Sequence, residues 1–76
     1  MLSKNERMRL QKQIDEVEVS ISELEQKLAV LEQKLQNPPE DGGEVAKLGK
    51  EYAEVQARLG EEMRVWESLV GEMGGE

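Results

Sequence analysis

The chain offers chemistry seventeen carboxylates, ten basic groups, and no histidine or cysteine. Two carboxylates divide acid and base work only where a cleft separates their pKa values. These fall at outward positions of a helical pattern, so a solvated face is the reading that suits them. Without His or Cys there is no zinc site of the usual kind, no Ser-His or Cys-His nucleophile, and no imidazole to carry protons. The segment Gly43-Glu44-Val45-Ala46-Lys47-Leu48-Gly49-Lys50-Glu51 looks at first like a phosphate-binding loop. It has five residues between its glycines instead of four, and Glu51 where Ser or Thr should hold magnesium. No catalytic residue, metal ligand or cofactor is therefore expected within this chain.

The basic groups carry the other signal. Lys4, Arg7, Arg9 and Lys12 stand against Glu6 alone in residues 1–13, a balance of +3, while residues 14–76 total −10. A cationic end can contact phosphates, because each phosphate neutralised releases counterions and favours binding without sequence preference. These four are the candidate nucleic-acid-binding residues. A second reading ranks ahead of it. If the chain folds back on itself, that end lies beside Glu61, Glu62, Glu67, Glu72 and Glu76, and the cations neutralise the returning segment.

The elements that position these groups are legible from periodicity. Leu10, Ile14, Val17, Ile21, Leu24, Leu28, Leu31 and Leu35 are spaced 4, 3, 4, 3, 4, 3, 4, an unbroken heptad seam. Such a stripe stays against one partner only when the helix supercoils around it, so it requires a second helix. Val45, Leu48, Tyr52, Val55 and Leu59 continue the period, which resumes at Trp66, Leu69 and Met73 after Glu62. Between the two lie Pro38, Pro39, Gly42 and Gly43, residues that remove helical donors or carry the largest ordering cost in a helix. Ser3 with Glu6, and Asp41 with Glu44, read as capping boxes.

The expected fold is all-α: a two-helix antiparallel coiled-coil hairpin forming a single domain over residues 1–76, with a helix over 3–36, a turn over 37–43 and a helix over 44–73. With Leu10 at position d, two registers suit the turn. One sets Leu31 beside Val45 and Leu10 beside Trp66; the other sets Leu31 beside Tyr52 and Val17 beside Trp66. Glu62 falls at d, where burying an unpaired charge is costly, so the helix is expected to turn slightly and bring Met63 inward. Trp66 is in phase and reads as core, and Gly49 and Gly60 as tolerated at exposed positions.

With one Trp, one Tyr and no Phe, nearly all the apolar material is in the seam, and 36% of residues are charged. A rod of this kind encloses no substrate. No apolar run approaches the ~20 residues of a membrane span, and the start lacks a signal peptide's apolar stretch, so a soluble protein is expected. The absence of cysteine is compatible with a cytosolic setting, and the intramolecular seam makes a monomer the expected state.

Leu2-Ser3-Lys4-Asn5-Glu6-Arg7, the Leu/Glu/Lys-rich helix ending Leu35-Gln36-Asn37-Pro38, then Glu44-Val45-Ala46-Lys47-Leu48 and Arg64-Val65-Trp66-Glu67-Ser68-Leu69, together resemble the C-terminal domain of ABC-F type ATPases, particularly Uup-like members. The resemblance implies an accessory module of a cytoplasmic protein whose two cassettes, outside this sequence, bind ATP and magnesium. It also implies contact with DNA, or with ribosomal RNA, through this domain. The Asn-Pro turn is shared with a second similar hairpin, the tRNA-contacting C-terminal arm of valyl-tRNA synthetases. A structural or protein-interaction rod is the alternative drawn from the acidic surface alone.

Overall fold

The computed structural model describes residues 2–74, which form two helices, α1 (Lys4–Gln36) and α2 (Gly42–Gly74), laid against each other in a rod of 57 × 14 × 14 Å. Helix α1 starts as expected. Ser3 is its N-cap, with Ser3 Oγ accepting from the Glu6 N–H at 3.2 Å while the Ser3 N–H donates to Glu6 Oε1 at 3.5 Å, a complete capping box. It ends at Asn37, whose N–H reaches back to the Gln33 carbonyl at 3.2 Å before Pro38 forbids a further turn.

The start of α2 departs from expectation. Gly42 and Gly43 belong to its first turn instead of the connection. Asp41 makes this possible: its carboxylate accepts from the Gly43 N–H at 2.9 Å, and its carbonyl from Glu44 and Val45 at 3.1 and 3.2 Å. These bonds satisfy donors that a helix start leaves unpaired, which offsets the ordering cost of two glycines. Asp41 thus caps through Gly43, and not through Glu44 as a capping box would.

Two side-chain bonds across the rod fix the register. Tyr52 Oη donates to Glu32 Oε1 at 3.0 Å, and Trp66 Nε1 to Glu18 Oε2 at 3.1 Å. Leu31 is therefore level with Tyr52 and Val17 with Trp66. The same pairing sets Leu10 level with Met73, Ile14 with Leu69, Leu24 with Leu59, Leu28 with Val55 and Leu35 with Leu48. Sliding α2 by one heptad would leave Leu35 without an apolar partner, and would set Leu69 opposite Arg7 and Met73 opposite Ser3. The observed register keeps more apolar layers together, and burial of apolar area is the main favourable term in so thin a domain.

The core is narrow. Leu10, Ile14, Leu31 and Val55 are buried, and the other seam residues are half-buried, Leu24 among them. Glu62 keeps its place in the heptad: it is half-buried and level with Ile21, while Met63 stays 42% exposed. The expected rotation of α2 does not occur, because turning Met63 inward would take Leu59, Trp66 and Leu69 out of the seam together. Gly49 and Gly60 have open space where a Cβ would project, so no close packing requires glycine at either position. Neither helix is long and apolar enough to cross a membrane.

Candidate functional site

The four candidate cations lie on the first three turns of α1, and all are exposed. At 3.6 residues per turn, Lys12 points away from the seam, with Arg9 roughly 60° to one side and Lys4 roughly 80° to the other, while Arg7 sits at the seam. Lys4, Lys12 and Arg9 thus spread over roughly 140° of the outward side, and Arg7 stands apart from them. In the observed register Gly74 is level with Arg9, so α2 does not accompany Lys4 and Arg7 within the described residues.

The acidic groups expected beside this end are therefore displaced. Glu72 is level with Gln11, but Glu67 is level with Glu16, one turn past Lys12, and Glu61 and Glu62 are level with Ser22 and Ile21, more than two turns past it. Glu76 lies outside the described residues. Among the described residues, neutralisation of the basic end by the returning helix rests on Glu72 and, more remotely, Glu67.

Along the rod the two aromatic bonds form a repeated clasp that periodicity did not reveal. Tyr52 and Trp66 occupy a positions two heptads apart, and Glu32 and Glu18 occupy e positions with the same separation. Each ring packs its body in the seam and directs its polar edge to a carboxylate at the rim, as an amphipathic aromatic does when half-buried. The matched spacing of aromatics on one helix and glutamates on the other was the available signal, but it is readable only once the register is known.

Hydrogen bonding to Glu32, and then the carboxylate's negative charge, raise the Tyr52 pKa above the ordinary phenolic value. A group held protonated by the fold contributes stability that is fully present below its unfolded pKa, ~10, and is lost as pH rises through the higher folded value. Tyr52 is the single tyrosine of the chain, so phenolate absorbance reports it without interference. Glu32→Gln should move that titration down toward the ordinary value. An unchanged titration would show that the Tyr52–Glu32 bond is not formed in solution.

At the turn end, Pro39 and Leu48 line an open groove with Lys34, Lys47 and Lys50 on its rim, interleaved with Glu44, Glu51 and Glu54. The mixture presents no net field of one sign. Residues 43–51 are helical, whereas a phosphate loop needs an open Gly-rich turn. A second groove, halfway toward the open end, is floored by Ile21, Met63 and Trp66 and edged by Glu18, Glu25 and Glu67. Among the described residues no group of His, Cys, Asp or Glu is arranged to hold a metal ion.

A family model described as ABC transporter C-terminal domain matches residues 5–70. That span contains Arg7, Arg9, Lys12, the turn and Trp66, and excludes Lys4. No curated protein and no solved structure matches.

Proposed function

The chain belongs to the ABC transporter C-terminal domain family, and from that premise we propose that it serves a cytoplasmic ABC-F type ATPase as a non-catalytic accessory rod, working as a monomeric hairpin. ATP and magnesium are the business of the parent's cassettes. The observation that carries this reading is the family match over residues 5–70 of a two-helix rod whose interior, among the described residues, is the seam. A closed seam supports the monomer, since joining helices through a short turn costs less than bringing two chains together.

Removing this domain from the native protein should leave ATP binding and hydrolysis by the cassettes in place while impairing coupling to the parent's target. Loss of nucleotide binding on deletion would overturn the accessory role.

Contact with DNA or ribosomal RNA is the finer reading, favoured by three exposed cations, Lys4, Arg9 and Lys12, on the first turns of α1. Few cations imply weak binding, insensitive to sequence, with a salt dependence kept shallow by the small number of phosphates neutralised, against a chain of net charge −7. Reversing Arg9 and Lys12 together, as Arg9→Glu with Lys12→Glu, should abolish binding in a low-salt titration without loss of helicity. Absence of any wild-type binding at low salt would leave the protein-interaction rod as the function of the isolated domain.

A further inference from the structure

The groove around Trp66 has features that a two-stranded coil does not need. Positions a and d suffice to hold two helices together, yet α2 also carries Met63 and Val70 at successive e positions, 42% and 36% exposed. An apolar stripe of a, d and e width is the pattern of a helix that packs against more than one neighbour. Across the groove, α1 answers with no apolar residue at e: Gln11, Glu18, Glu25 and Glu32 occupy those positions. The result is a groove with an apolar side, from Ile21, Met63 and Trp66, and an acidic side, from Glu18 and Glu25, with Glu67 on the outer rim; Val70 is the next e position, one heptad along α2.

We infer that this groove is a docking site for a cationic amphipathic helix of a partner protein. Its apolar stripe lies on Met63, Trp66 and Val70, and its Lys or Arg side chains reach Glu18 and Glu25. Charge selects the occupant. Residues 14–76 carry −10, a field that draws in a cationic segment and repels a polyanion such as nucleic acid. Trp66 adds a ring face on which the aliphatic stem and cation of Lys or Arg can rest. A third helix here would also cover the exposed e positions, completing a three-helix arrangement over the middle of the rod. The inference concerns a different face from the basic end and stands whether or not that end contacts nucleic acid.

Trp66 is the single tryptophan of the chain, so its fluorescence reports occupancy of the groove directly. The probe is a synthetic Leu/Lys peptide of about 18 residues, ~27 Å as a helix, patterned with the helical period. The control has the same composition scrambled to destroy the stripe. Titrating the patterned peptide into the full chain should shift Trp66 emission to the blue with saturation, and the scrambled peptide should bind ~10-fold or more weakly. Met63→Glu should weaken binding by ~10-fold or more through the apolar wall. Glu25→Lys should do the same through the acidic wall and reduce the salt dependence. Both positions are exposed, and circular dichroism checks helicity; should Met63→Glu fail to fold, Glu25→Lys carries the test. Equal binding of both peptides, or wild-type affinity in the variants, would overturn the proposal. So would the same emission shift produced by a DNA duplex, or by raising the chain's own concentration with a dimer mass in sedimentation.

Discussion

Leu31→Ala should unfold the domain under conditions where the wild type is folded. Leu31 is the most deeply buried residue described, at 3% exposure, and lies level with Tyr52. Removing three carbons from such a site costs the lost burial and the cavity left behind, about 2–5 kcal/mol. For a small domain that is a large share of a total of roughly 5–15 kcal/mol, and a thin rod with four buried residues among those described belongs at the lower end. A urea or thermal melt followed by helical circular dichroism measures it. Leu24→Ala is the internal comparison: Leu24 is half-buried, so its loss should be distinctly smaller. Equal effects at the two positions would mean that burial is even along the seam, contrary to the structure.

Glu62→Leu should act in the opposite direction and stabilise the rod. Glu62 occupies a d position level with Ile21, half-buried in a layer where every neighbouring layer of the seam is apolar. Full burial of a leucine side chain is worth ~1.5–3 kcal/mol, and a half-buried position returns a share of that, about 1 kcal/mol. In a domain of this size each kcal/mol raises Tm by roughly 4–8 °C, so the shift is easily measured. A lowered Tm would show that the Glu62 carboxylate holds an interaction the fold depends on. If the groove beside Met63 is occupied in the native assembly, the stabilised variant should retain peptide binding, since Glu62 is not among the groove's lining residues.

The hairpin was legible because its signals are local and agree with one another. The unbroken spacing from Leu10 to Leu35 dictated a helix with a partner, Asn37-Pro38-Pro39 dictated a break, and Ser3 with Glu6 dictated a start. The position of Asp41 before two glycines was legible too, but not its effect. Whether Gly42 and Gly43 join the helix depends on which N–H groups the Asp41 carboxylate and carbonyl reach, and Gly43, Glu44 and Val45 all bond to it. Glu62 departs from the sequence expectation for a related reason. The local cost of burying a charge favours rotation of α2, but rotation would carry Leu59, Trp66 and Leu69 away from α1, because the seam moves as a unit.

Sequence by itself determined that the chain is an all-α hairpin, because a heptad stripe, a proline break and a second heptad stripe admit no other way of covering both stripes within one chain. It also located the cations at Lys4, Arg7, Arg9 and Lys12 on one end. Only the tertiary structure decided the register, since a heptad period is unchanged by a shift of seven residues and each helix on its own is indifferent to it. Everything that depends on which residues stand level followed from that decision. Tyr52 met Glu32, Trp66 met Glu18, and most of the acidic groups of α2 came to lie past Lys12. Met63 was thereby set in one groove with Glu18 and Glu25 of α1, because an antiparallel pair brings distant residues together only through the axial alignment that its best-buried layers select.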